Sequence, residues 1–201
     1  MLEQAKITLE QIKRNESPQI QSIFGQFDEF SSYSEIAKIG TKISKGIKRL
    51  IVLGTGGSSL GAKTLLSILP QKLSGGSIKI QFFDNLSPSE TEFALKTISP
   101  ETTHFLVISN SGFTVEVIAQ CILALNYVSK TLEKNSLKDH FTFITGPEDN
   151  PLRAIAQELN IPVLDHDPDL TGRFSVFSKI GLLPAFIGGA NILAIFQGAQ
   201  Y

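Results

Sequence analysis

Five short apolar runs, at 50–53, 78–83, 105–108, 141–144 and 162–164, alternate with helix-patterned stretches at 59–69, 88–97, 113–132 and 151–159. A run that is apolar at every position, rather than at every second one, belongs to a strand covered on both faces. Strand and helix in alternation then specify a parallel sheet with helices on both sides, an α/β doubly wound fold of five strands. Ligands in that class bind beyond the carboxyl ends of the strands. Ahead of this alternation, residues 1–46 read as an N-terminal helical extension that includes an amphipathic stretch at 33–46.

Two of the strand ends carry unusual loops. The first run leads into Gly54-Thr55-Gly56-Gly57-Ser58-Ser59-Leu60-Gly61. It is not a dinucleotide fingerprint, because Ser59 stands where the third glycine belongs. Nor is it a P-loop: Ala62 occupies the lysine position and Lys63 comes one residue late. A tight strand-to-helix turn and an anion-binding loop both remain open here. The third run leads into Ser109-Asn110-Ser111-Gly112-Phe113-Thr114-Val115-Glu116. A helix N-cap needs one hydroxyl. Ser109, Ser111 and Thr114 around Gly112 supply three, a set suited to cradling a phosphate at a helix N-terminus, where backbone N–H groups and the helix dipole favour an anion. A third element, Thr171-Gly172-Arg173-Phe174-Ser175, offers an arginine able to form bidentate bonds to an oxyanion.

Composition narrows the classes. The 201 residues include 18 basic and 19 acidic ones, for a net charge of −1, which leaves no electrostatic footprint for nucleic acid. The cluster Lys42, Lys45, Lys48 and Arg49 reads as a solvated helix face. A single cysteine, Cys121 within an apolar stretch, forbids an internal disulfide and reads as a buried core residue. Charges at Glu3, Lys6, Glu10 and Lys13 interrupt the first residues, so no signal peptide is expected and the location is expected to be cytoplasmic. Asp165, Asp167 and Asp169 imitate a calcium loop, but Leu170 replaces its glycine. His104, His140 and His166 lack metal-ligand spacing. Neither a metal nor an organic cofactor is expected. No charge occurs from 180 to 201, yet Pro184, Asn191 and a polar end speak against a membrane span. A buried or partner-facing helix is expected instead, associating with other chains wherever it stays uncovered.

Taken in order, the three elements resemble the amino-terminal half of the glucose-6-phosphate isomerase family. The family's Gly-x-Gly-Gly-Ser-x-Leu-Gly loop is matched by 54–61, its Ser-Lys-(Ser/Thr)-x-x-Thr-x-Glu loop by 109–116, and its Gly-Arg-(Phe/Tyr)-Ser turn by 172–175. The resemblance covers 45–190. It implies a sugar-isomerase (SIS) domain with a flavodoxin-like fold at 47–170, followed at 171–201 by the truncated start of a connection to a second domain. It further implies that Ser109, Ser111 and Thr114 hold a sugar phosphate, that Gly57 and Ser58 line the sugar, and that Arg173 stabilises an enediolate. Asn110 stands in the substrate loop where the family has lysine; it keeps a hydrogen-bond donor and loses a charge. The implied reaction is aldose–ketose interconversion of glucose 6-phosphate and fructose 6-phosphate, a step of glycolysis and gluconeogenesis. Family members are longer, and their second half supplies a glutamate base, a ring-opening histidine and a further lysine. The chain is therefore expected to be inactive alone and to need a complementing C-terminal half, or to work as a homo-oligomer. Two other readings stay open: a non-catalytic SIS module that binds sugar phosphate, and a remnant with neither activity nor binding.

Overall fold

The computed structural model describes residues 2–14, 17–26, 30–69, 78–85 and 87–199. In chain order the elements are α1 (Leu2–Lys13), α2 (Pro18–Gly25), α3 (Phe30–Ser44), β1 (Arg49–Leu53), α4 (Gly57–Ser67), β2 (Lys79–Phe83), α5 (Pro88–Lys96), β3 (Thr103–Ser109), α6 (Val115–Val128), α7 (Leu137–His140), β4 (Phe141–Thr145), α8 (Pro151–Leu159), β5 (Val163–Asp165), α9 (Lys179–Ile187) and α10 (Ile192–Ala199). The five strands form one parallel sheet in the order β2-β1-β3-β4-β5. This is the flavodoxin-like doubly wound order, and the chain reverses direction across the sheet between β1 and β3.

The continuous apolar runs fold as strands because both faces are covered. Ile51, Leu53, Phe105, Val107, Phe141 and Phe143 face one core cluster, completed by α5, α6 and α8. There the rings of Phe105 and Phe141 stack at 4.8 Å with an interplanar angle of 11°. Their sequence neighbours Leu50, Val52, Leu106, Ile108 and Ile144 face a second cluster with α3, α9 and α10. β3 extends further than its apolar run because the polar residues at its start are buried and satisfied. Thr103 Oγ1 donates to the Ser99 carbonyl at 2.8 Å, and the His104 ring sits between the Asp139 carbonyl and Thr142 Oγ1. α6 begins later than its apolar pattern suggests, since Gly112 adopts φ +69° and holds the loop open up to Thr114.

The uncharged tail differs from the single helix expected. It forms two helices, and α9 buries Ile180, Leu182, Leu183, Ala185 and Ile187. α9 lies so close to α3 that a β-carbon on Gly40 would come within 2.3 Å of the Phe186 ring. The apolar residues of this segment are thus covered largely by the sheet and helices of their own chain. Residues 200 and 201 lie outside the described ones. Among the described residues, no helix is long and apolar enough to cross a membrane.

Candidate functional site

The first loop leaves β1 at the topological switch. Gly56 takes φ +55° and ψ −124°, a conformation that excludes side chains, and starts α4. The Ser59 and Leu60 N–H groups donate to the Gly56 carbonyl at 3.1 and 3.0 Å. Ser59 is buried, and its hydroxyl donates to the same carbonyl at 3.2 Å. Gly57 and Ser58 remain half-buried at the edge of the sheet. The Gly172 turn rests directly on Gly57: a β-carbon there would lie 2.2 Å from the Gly172 carbonyl carbon.

The second loop leaves β3, the neighbour of β1. Ser109 is 2% exposed. Its hydroxyl lies 2.9 Å from Thr114 Oγ1 and accepts the Gly112 N–H at 3.1 Å. Ser109 therefore shapes the loop from within and holds the hydroxyl of half-buried Thr114, while Ser111 is exposed. Ser111 Oγ accepts the Phe113 N–H at 3.2 Å. Asn110 Nδ2 donates to the Leu170 carbonyl at 3.3 Å, which ties this loop to the segment leading into Arg173. Arg173 itself is exposed, and no ion pair holds it among the described residues.

The three elements thus meet at one edge of the sheet, and their helix termini are chemically distinctive. Where N-caps are described, α2, α8 and α9 are each capped by a side chain, from Ser17, Asn150 and Ser178 respectively. α4, α6 and the single-turn α7 have no side-chain cap, and of these α4 and α6 lie at the loops. The first N–H groups of a helix have no partner within it. At α4 the Ser58 and Ser59 N–H groups turn back onto the Thr55 and Gly56 carbonyls, whereas the start of α6 offers its first N–H groups to solvent or an anion, with the dipole favouring negative charge.

Asn150 is a residue of this region that sequence reasoning missed. Its Oδ1 accepts the Arg153 N–H at 3.0 Å, and it packs so tightly that a β-carbon on Gly112 would sit 2.0 Å from it. Asn150 and Pro151 form a recognisable cap-plus-proline helix start. A cleft of about 290 Å³ adjoins Asn110 and Ser111, walled by Gly146, Glu148, Asp149 and Pro168. A larger cavity of about 590 Å³ lies at the opposite edge of the sheet, among Ile43, His104 and Lys138. Size alone would favour that cavity, but the uncapped termini and the glycine conformations belong to the loops, so the candidate chemistry is assigned to them.

The other singled-out side chains serve the core. Burial pushes the Cys121 thiol up to about 12, which leaves it protonated and unreactive. Burial pushes His104 down to about 4, and lowers His166 as well. Arg153 donates to the Gly146 carbonyl at 2.6 Å and pairs with Asp165, which joins the ends of β4 and β5. Among the described residues, no group of three metal-ligating side chains comes together.

Residues 5–201 match the family described as Phosphoglucose isomerase. A glucose-6-phosphate isomerase of Carboxydothermus hydrogenoformans is 35% identical, over 83% of this chain and 37% of that protein. One from Thermus thermophilus is 29% identical, over 77% of this chain and 36% of that protein. The chain thus spans little more than a third of the length of the curated relatives it matches. Among solved structures, a glucose-6-phosphate isomerase of Chlamydia trachomatis superposes with a TM-score of 0.71 at 25% identity, covering 92% of this chain and 35% of that one. A hypothetical protein of Thermus thermophilus superposes with a TM-score of 0.83 at 25% identity, covering 99% of this chain and 48% of that one. The sugar isomerase domain of an RpiR transcription factor from Sphaerobacter thermophilus shares the fold, at a TM-score of 0.51 and 15% identity. With a family match that runs through all three loops, and with those loops gathered at the switch point of an SIS-type sheet, this chain belongs to the phosphoglucose isomerase family.

Proposed function

We propose that this chain builds the sugar-phosphate half of a glucose-6-phosphate isomerase site. The observation that carries the reading is the uncapped N-terminus of α6 at the β1–β3 switch, beside the contact of Gly57 with the turn that bears Arg173. In this reading the phosphate of a hexose 6-phosphate sits at the α6 terminus. Ser111, Thr114 and the first N–H groups of α6 donate to it, and Ser109 holds Gly112 and Thr114 in shape. Hydrogen bonds to a charged group are worth about 1.5–3 kcal/mol each, so such a set binds a phosphate without the lysine that Asn110 replaces. Gly57 and Ser58 line the sugar, and the absence of a side chain at 57 lets the Gly172 turn close against this loop. Arg173 supplies charge to the enediolate oxygen that develops as a proton moves between neighbouring carbons.

Moving that proton needs a positioned base. Glu116, the only acid within the three matched motifs, is exposed in the first turn of α6. Water competes for a carboxylate in that position. In this reading the base and the ring-opening acid come from a complementing C-terminal half or a partner copy, and the setting is cytoplasmic. The test is complementation. The 201-residue chain alone should turn over glucose 6-phosphate no faster than background, since loss of a base alone costs about 10²–10⁴ in rate. Adding a polypeptide with the remaining length of a family member should restore turnover, and Arg173→Ala should remove it again. Full turnover by the chain alone would overturn the proposal and direct attention to Glu116.

A further inference from the structure

The cavity of about 590 Å³ at the amino-terminal edge of the sheet takes no part in the proposed isomerase site. It opens where α3 ends, below the starts of β3 and β4. His104 on its wall and Ser109 in the hydroxyl loop occupy opposite ends of β3, about 17 Å apart at the rise of a strand. The volume lies within the roughly 300–1,000 Å³ of small-molecule sites, which are mostly apolar with a few placed polar groups.

Its lining divides into two chemistries. Ile39, Ile43, Ile47 and Leu164 form an apolar wall. Ile43 is 8% exposed, and the other three are half-buried. Around the mouth stand Lys42, Lys45 and Lys138, none of which is held in an ion pair among the described residues. Glu101 and Asp139 are also among the lining residues. The Glu101 carboxylate already accepts the Ser99 hydroxyl at 2.6 Å. His140 lies beside them, and its Nδ1 is 3.1 Å from the Thr103 carbonyl. Because a carbonyl only accepts, Nδ1 carries the proton and Nε2 is left with a lone pair in the neutral ring. At the back, His104 Nδ1 faces the Asp139 carbonyl and must donate, so the Thr142 hydroxyl donates to His104 Nε2 at 3.0 Å. That polar floor is complete and asks nothing of a ligand. What is left for a ligand is the apolar wall, with the exposed ammonium groups of Lys42, Lys45 and Lys138 at its rim.

We infer that this cavity binds a small organic anion with an apolar body, its carboxylate or phosphate head at the lysines and its body on the isoleucines. A purely polar anion would leave the isoleucine wall wet, and a neutral apolar compound would forgo the attraction of the lysines at the rim. The inference rests on no part of the isomerase reading.

The experiment titrates the full chain with phenyl phosphate and with benzoate, following the His104 ring and the Thr142 amide by NMR. Inorganic phosphate and benzyl alcohol serve as half-probes. Phenyl phosphate or benzoate should give a saturable shift, at least about tenfold tighter than either half-probe, since a buried ring adds apolar area worth more than that factor. A preference between the two anions identifies the head group. Lys42→Gln with Lys138→Gln should weaken binding by about fivefold or more, as expected for two exposed charges. Ser109→Ala, at the other edge, should leave it unchanged. Equal responses to phenyl phosphate and inorganic phosphate would reduce the site to surface lysines and overturn the inference. So would the absence of saturation, or a response that the lysine double variant retains in full.

Discussion

The Gly57 and Gly172 backbones are in contact, and a β-carbon on Gly57 would fall 2.5 Å from the Gly172 carbonyl oxygen. This contact joins the loop after β1 to the turn that carries Arg173. Because the opposing atoms are backbone, nothing small can yield.

Gly57→Ala should therefore push the 172–174 turn outward, at an overpacking cost of about 1–3 kcal/mol. Binding of glucose 6-phosphate should weaken by more than the fold does. Gly25→Ala is the control, because its β-carbon would meet nothing within 4 Å; it should change stability by less than about 0.5 kcal/mol. Thermal unfolding and calorimetric titration of both variants check this. Equal behaviour of the two would mean that the Gly57 contact is dispensable.

Asn110→Lys should tighten phosphate binding. The side chain is half-buried, and one added charge near a partly solvated anion is worth on the order of 1 kcal/mol. The variant gives up the Asn110–Leu170 hydrogen bond, which offsets part of the gain. The gain should shrink as salt rises. Titrations at two ionic strengths measure it, and an affinity that is unchanged at low salt would mean that position 110 faces away from the ligand.

Stability should depend on pH through His104. Its proton affinity falls from 6.5 to about 4 in the fold, driven first by burial. Between those values the unfolded chain takes up a proton that the folded chain refuses. The stabilising contribution is thus complete above pH 6.5 and is lost as the pH drops toward 4. The loss is on the order of 3 kcal/mol for this group. His166, also lowered by burial, adds to the same fall. Urea unfolding across this range should show a shallower slope in His104→Gln than in the parent chain, and identical slopes would contradict the assignment.

The sequence made the strands legible because the central strands, buried on both faces, are largely apolar, and the hydroxyl loops were legible because they interrupt that pattern abruptly. It did not disclose how the hydroxyls are used. Ser109 resembles Ser111 in the sequence, yet it is enclosed and bonded to Thr114. That difference depends on the packing of the loop against α6, not on residue type. The start of β3 stayed hidden because Thr103 and His104 look polar until their partners, Ser99, Asp139 and Thr142, are brought alongside. The two approaches that build the site, Gly57 to Gly172 and Gly112 to Asn150, join distant segments and leave no local signal beyond the glycines themselves. The uncharged tail suggested burial; that it would cover its own sheet followed from the fit of α9 against α3.

The most direct test of the phosphate cradle is an amide NMR titration of the 201-residue chain with glucose 6-phosphate and, separately, with glucose. Glucose 6-phosphate should shift the amides of 111–116 and of 56–59 in a saturable way, because 111–116 lead into the uncapped terminus of α6 and 56–59 form the adjoining loop at the start of α4. Glucose, lacking the anion, should leave 111–116 in place. Equal perturbation of 111–116 by both sugars, or none by either, would contradict the account.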